Sequence, residues 1–162
     1  MAVKARVKKN VSSSEQFPEG FHRAILVDVE EHDTKNNSAV RLIFANGDLE
    51  LKEDLWLSEK AQARLTLMTR RLGLIDDSGD EDQEILFDNA VGSEFVIEVK
   101  HELDQSDRTV TRLTYGGLWP LDHEDKKVRA FLNTEEGKKP AGAGERQGGG
   151  KSESKADDLD DI

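Results

Sequence analysis

The chain has 162 residues, 34 of them acidic and 23 basic, for a formal net charge of −11, and it contains no cysteine. That charge argues against a general polyanion-binding surface, and the missing thiols exclude disulfides, thiolate zinc sites and cysteine nucleophiles together. No apolar run reaches membrane-spanning length and the N-terminus lacks the apolar core of a signal peptide, so a soluble, cytoplasmic protein with no membrane partner is expected.

The charge is laid out unevenly. Residues 1–10 carry Lys4, Arg6, Lys8 and Lys9 and no acid, whereas 76–84 carry Asp76, Asp77, Asp80, Glu81, Asp82 and Glu84 and no base. With that acidic loop and the four aspartates of the last six residues set aside, the remaining body is close to neutral, which leaves room for a local basic groove. Residues 1–16 read as a flexible basic arm and 17–133 as one folded domain. Residues 134–156 hold six glycines, a proline and no apolar side chain larger than alanine, too little to offset the entropy of ordering, and read as a disordered tether. The tether ends in Asp157, Asp158, Leu159, Asp160, Asp161 and Ile162, an acidic tip with two aliphatic side chains, suited to a basic pocket with an apolar dimple on a partner. A purely solubilising tail is the plainer alternative.

The first strand is expected over 21–31 (FHRAILVDVEE), opened by Pro18 and Gly20. Residues 38–45 (SAVRLIFA) and 49–57 (LELKEDLWL) flank Asn46-Gly47, whose access to positive φ makes a hairpin. Ser58 reads as the N-cap of a helix over 59–72, with Ala61, Leu65, Met68 and Leu72 at helical spacing and Gly73 as its stop. After the acidic loop, 94–102 (EFVIEVKHE) and 108–115 (RTVTRLTY) alternate as a second strand pair. Five strands with one helix between the third and fourth is the order of the OB-fold, a small Greek-key barrel that binds oligonucleotides across its second and third strands, although an unrelated α+β sheet shares that order.

Alternation in 49–57 puts Leu49, Leu51, Leu55 and Leu57 on one face and Glu50, Lys52, Asp54 and Trp56 on the other. A tryptophan beside a lysine on the wet face is unusual, because such a ring is ordinarily buried. Arg41 faces away from Val40, Leu42 and Phe44. Lys100 shares a face with Val96 and Glu98, and Arg112 with Val110 and Thr114, while the last strand runs on into Tyr115-Gly116-Gly117-Leu118-Trp119-Pro120. Aromatic rings interleaved with lysine and arginine suit single-stranded nucleic acid, since every base offers a π-face and every nucleotide a phosphate. For Trp56 and Trp119 a barrel-end plug is the competing role, and for each cation an ordinary solvated face.

Other chemistries find little support. Gly148-Gly149-Gly150-Lys151-Ser152 imitates the end of a phosphate-binding loop, but Glu145 stands where that motif needs its first glycine. The four histidines show no metal-ligand spacing, the acidic loop lacks the spacing of a calcium loop, and no serine or carboxylate pair has a catalytic context. No enzymatic activity, cofactor or metal is expected.

The segments Phe17-Pro18-Glu19-Gly20-Phe21, Val27-Asp28-Val29-Glu30, Thr34-Lys35-Asn36, Leu42-Ile43-Phe44, Arg71-Leu72-Gly73-Leu74 and Val91-Gly92-Ser93-Glu94-Phe95 together resemble a bacteriophage family that includes OB-fold, single-stranded-DNA-binding proteins. The resemblance spans residues 17–121. It implies a non-catalytic protein acting in DNA replication, recombination or repair, and in the cytoplasm of an infected bacterium if phage-encoded. The acidic tip is similar in kind to the tails of single-strand-binding proteins, which recruit replication and repair enzymes and compete with DNA, but it ends in Ile162 rather than an aromatic residue. On this reading Trp56, Tyr115, Trp119 and Phe44 stack on bases, Lys35, Arg41, Lys52, Lys100, Arg108 and Arg112 meet phosphates, and residues 157–162 bind replication or recombination proteins; homo-oligomerisation stays open. Two other classes remain: an acidic adaptor or DNA mimic that does not bind DNA, and an OB module for oligosaccharide or peptide.

Overall fold

The structure, a computed structural model, describes residues 15–75 and 85–142. The acidic loop, residues 1–14 of the basic arm, and the tether beyond 142 with its tip lie outside the described residues. The strands are β1 (Glu15–Gln16), β2 (Gly20–Asp33), β3 (Ser38–Asn46), β4 (Leu49–Trp56), β5 (Glu94–Leu103) and β6 (Thr109–Pro120), and the helices are α1 (Gln62–Arg71) and α2 (Lys126–Leu132). They form one unclosed sheet in the order β1-β4-β3-β2-β5-β6. All neighbours are antiparallel except β1, which adds two residues of the expected flexible arm in parallel to Leu49 and Glu50.

The long strand β2 gives the sheet its curl. Gly20 to Ile25 pair with β5, and Ile25 to Asp33 pair with β3, with a bulge between Leu26 and Asp28. An extra residue at such a point bends the strand and raises its twist, so the two halves of the sheet wrap toward each other. The enclosed core holds Phe17, Leu26, Leu42, Phe44, Leu51, Leu55, Phe95, Ile97, Leu113 and Leu118, with Leu65 and Met68 of α1 and its C-cap Leu72 at the expected spacing; Ala61, the first of that series, precedes α1 and is only half-buried. A second cluster lies on the outer face of β5 and β6. There Val96 and Trp119 meet Val128 of α2, with Phe21, Phe131 and Leu132 around them. This second helix is absent from the sequence expectation, although Asp125 caps it by accepting from the Lys127 and Val128 amides at 2.8 and 3.2 Å.

Several expectations shift on contact with the backbone. The β3–β4 loop is Gly47-Asp48 rather than Asn46-Gly47, since Asn46 still pairs with Leu49, and the positive φ of 61° falls on Gly47. Ser58 makes no side-chain cap; it precedes a 3-10 turn over Glu59–Ala61 that leads into α1. Leu57 lies past the end of β4 and is exposed. The last strand does not stop at Tyr115. Leu113 pairs with Val99 and Leu118 with Ile97, so four residues of β6 stand opposite the single residue Glu98. This wide bulge needs Gly117, where a Cβ would lie 2.4 Å from Thr114 Oγ1 and 2.7 Å from the Glu98 carbonyl oxygen.

Among the described residues β4, beyond its short pairing with β1, and the edge strand β6 face each other without a main-chain ladder, and a buried carboxylate spans the gap. Glu53, at 0% exposure, accepts from Arg64 Nη2 at 2.9 Å, Arg112 Nη2 at 3.0 Å and Nε at 3.2 Å, and the Leu113 amide at 3.0 Å. Both its oxygens are used, which is the condition for a carboxylate to be held in a core. Glu53→Ala should therefore lower unfolding free energy by about 2–4 kcal/mol, because it leaves the Leu113 amide and the mostly buried Arg64 guanidinium short of an acceptor, while Arg112 keeps Glu102 and partial solvent. Glu53→Gln, which keeps the shape, should cost about 1–3 kcal/mol. Urea denaturation checks both; a loss under 1 kcal/mol for Glu53→Ala would show that the edges are held by something else.

Candidate functional site

The outward face of β2, β3 and β4 gathers part of the expected site. Reading across the strands, His32, Ala39 and Trp56 form one rung, Glu30, Arg41 and Asp54 the next, and Asp28, Ile43 and Lys52 a third. Trp56 is half-buried, and the His32 ring lies 6.1 Å from it at 59°. Arg41 donates from Nε and Nη2 to the two oxygens of Asp54 at 2.8 and 3.2 Å, a bidentate pair. The hydrogen bond to Asp54 holds the Arg41 pKa above the ordinary guanidinium value despite partial desolvation. His32 Nε2 stands 3.9 Å from the same carboxylate. Lys52 projects into solvent, and Lys35 is exposed in the β2–β3 turn, closed by the Thr34 amide on the Asn37 carbonyl at 2.7 Å.

A second group stands on β5 and β6. Lys100 pairs in register with Arg112 and reaches Glu102 at 3.1 Å. Arg112 donates to Glu102 at 3.2 Å as well as to Glu53, and these carboxylates raise its pKa, the Glu53 hydrogen bond most. Glu102 in turn is depressed, first by its hydrogen bond from Lys100 and then by the charges of Lys100 and Arg112. Arg108 sits at the hairpin tip, 80% exposed and 4.0 Å from Asp104. Asp104 makes that tip rigid by accepting from the Ser106 and Arg108 amides at 2.7 and 3.0 Å. Between the two sheet halves lies a cleft of about 310 Å3 lined by Gln16, Glu50, Leu51 and Lys52 on one side and Thr109, Val110 and Thr111 on the other; of the two groups only Lys52 reaches it.

The four expected stacking rings separate. Phe44 is fully buried and meets Phe95 edge-on at 6.4 Å, so it has no face for a base; alternation had already put it with Leu42 on the inner side. Trp119 is 8% exposed, packed on Phe21 at 5.8 Å with the Arg71 guanidinium 5.2 Å over its ring, and belongs to the α2 cluster. Desolvation there lowers the Arg71 pKa. Trp56 is half-buried, and Tyr115 is 62% exposed. Tyr115 stands on the β6 bulge, apart from the β3–β4 face. Helix α1 secures it: Arg64 Nε donates to the Tyr115 carbonyl at 3.0 Å, and Arg71 Nη1 to the Gly116 and Leu118 carbonyls at 2.9 and 2.8 Å. The Arg64 guanidinium also lies 5.9 Å from the Tyr115 ring centre.

Sequence reasoning missed Glu53, Arg64 and His32. The signal for Glu53 was present, because it occupies the inward parity between Leu51 and Leu55. No group of three or more His, Asp or Glu side chains among the described residues is placed to hold a metal, and no helix among them is long and apolar enough to cross a membrane. No protein-family model and no curated protein matches the chain.

The two tryptophans should behave oppositely. Trp119→Ala should cost about 3–5 kcal/mol of stability as a core truncation, and Trp56→Ala less than about 1 kcal/mol, as for a surface change. In the Trp119→Phe protein the remaining Trp56 emission should be readily quenched by acrylamide; a shielded emission would put Trp56 in the core as well.

Proposed function

We propose that this protein binds single-stranded DNA without catalysis, on the outward face of β3 and β4, and presents it to replication or recombination proteins. The observation that carries the proposal is the half-buried Trp56 ring on the same outward face of β4 as the exposed Lys52, two rungs away across Asp54, with exposed Lys35 and Arg108 in the β2–β3 and β5–β6 loops. A partly exposed indole accepts any base by stacking, worth about 1–3 kcal/mol per base, without reading sequence.

Connectivity supports placing that face on an OB-type barrel. A long bent first strand pairs with the second and the fourth, a helix lies between the third and fourth, and the third and fifth strands face each other across Glu53. A partly open barrel of that order binds oligonucleotides through its second and third strands and the loops beside them, which here are β3, β4 and the turns holding Lys35 and Arg108.

The electrostatics limit how such binding works. Arg41, Lys100 and Arg112 are already committed to carboxylates, and Asp28, Glu30 and Glu50 border the face. Stacking then supplies more of the affinity than phosphate contact. The same neutralisation favours the second reading, an acidic adaptor or nucleic-acid mimic, for which a face of balanced charge suffices.

Fluorescence anisotropy with a labelled oligonucleotide at several salt concentrations separates the two. With about three phosphates engaged, the log-log slope for single strands should be roughly −2. Trp56→Ala should weaken binding by about 1–3 kcal/mol. Folded protein that shows no binding at low salt would reject the DNA reading and leave the adaptor.

A further inference from the structure

The segment over 134–142, which composition assigns to the disordered tether, is fastened to the sheet. It leaves α2 through Thr134, whose hydroxyl accepts from the Gly137 amide at 2.9 Å, while Lys138 donates to the Thr134 carbonyl at 3.0 Å. It then crosses an ion pair on the outer surface of β2 and β5, where Arg23 Nε donates to Glu94 Oε2 at 2.5 Å. Each partner also holds the segment's backbone. Arg23 Nη1 donates to the Gly137 carbonyl at 3.0 Å, and Glu94 Oε2 accepts from the Ala141 amide at 2.8 Å. At its far end the Gly47 amide donates to the Gly142 carbonyl at 2.8 Å, and the Gly142 amide donates to Asn46 Oδ1 at 3.3 Å. His22 Nδ1 stands 3.7 Å from Glu136 at the near end.

The location matters more than the number of contacts. In the register of the sheet, Glu94, Ile25 and Ala45 form the rung at which the segment ends, and the next outward rung is Asp28, Ile43 and Lys52, about 7 Å away by strand rise. The segment therefore lies on the same face as Lys52 and Trp56 and sets its lower border. Ala45 points outward there and is buried. The contacts holding the segment are polar, and its composition supplies no apolar anchor, so releasing it uncovers little hydrophobic surface. Release also frees one of the two acceptors of Arg23, a cation whose side chain is otherwise 15% exposed.

We propose that residues 134–142 form a displaceable strap on the binding face, and that single-stranded DNA and the strap compete for the outward surface of β2 and β3. The proposal rests on the DNA-binding reading above and adds its regulation. A strand running from Trp56 past Lys52 meets the strap at the Ala45 rung, so occupying that rung requires the strap to lift, and lifting it adds Arg23 to the face.

A chain without cysteine allows a direct test. In Asn46→Cys/Gly142→Cys, oxidation locks the strap and reduction frees it. In Gly137→Ala, the added Cβ would lie 1.9 Å from the Phe131 carbonyl oxygen, which unlatches the strap. Oligonucleotide affinity should be at least five-fold weaker in the oxidised than in the reduced double variant, and several-fold tighter in Gly137→Ala than in the unaltered protein. Should Gly137→Ala fail to fold, the oxidised and reduced pair decides alone. Hydrogen exchange on the unaltered protein gives an independent reading: the Gly47 and Ala141 amides should exchange faster when oligonucleotide is added. Equal affinity in the locked and freed forms, or exchange at those amides that is unchanged or slower, overturns the strap and leaves DNA binding standing. Absence of binding in every form overturns DNA binding and the competition with it.

Discussion

A single buried carboxylate holds this sheet in shape. Glu53 stands on the inner side of β4 and accepts from β6 through the Leu113 amide and Arg112, and from α1 through Arg64. Two further elements, one 11 and one 59 residues along the chain, thus converge on one group. Placing a carboxylate in a core is costly unless all its lone pairs find donors, and the cost of leaving any one unpaired makes the arrangement exacting. A main-chain ladder would have closed the sheet more firmly. The side-chain bridge instead leaves a cleft beside it, between β1 and β4 on one wall and the start of β6 on the other.

The same helix that supplies Arg64 also resolves the cost of the β6 bulge. Four residues opposite one leave carbonyls without ladder partners; Arg64 and Arg71 donate to two of them, those of Tyr115 and Gly116, and Arg71 also to the carbonyl of Leu118 just beyond. Tyr115 is exposed as a result of this arrangement, since the bulge carries it out of the strand while α1 fixes its backbone. The closure of the sheet, the docking of α1 and the display of an aromatic ring are parts of one polar network.

Charge is organised locally in a protein whose net charge is strongly negative. Nearly every arginine on the described surface is met by a carboxylate or a carbonyl, and the exposed lysines are scattered. A face built in this way does not attract phosphates from a distance as a basic groove does. The Arg41, Lys100 and Arg112 side chains are already oriented by Asp54 and Glu102, and the segment over 134–142 covers part of the outward sheet surface near Ala45.

Local pattern was enough for the strand order, the β3–β4 hairpin, the buried face of α1 and the outward placement of Lys52 and Trp56, because each depends on alternation or helical spacing within a dozen residues. Even Glu53 was marked by parity, as an acid in a row of leucines. The roles of its donors were not marked, since Arg64 and Arg112 come to it from 11 and 59 residues away in the chain. Trp56 and Trp119 look equivalent in sequence, each a tryptophan at the end of a strand. Only the packing of α2 buried the second, and α2 itself is short enough for its apolar spacing to go unread. Glycine-rich composition pointed to a tether from residue 134 onward, yet Arg23, Glu94 and Asn46 hold its first part, because hydrogen-bond donors and acceptors on a distant sheet can order a backbone that has no apolar side chains to bury. Sequence determined which residues could face water and which could not; the tertiary structure decided which of the outward ones remain uncovered, because that depends on what the rest of the chain lays over them.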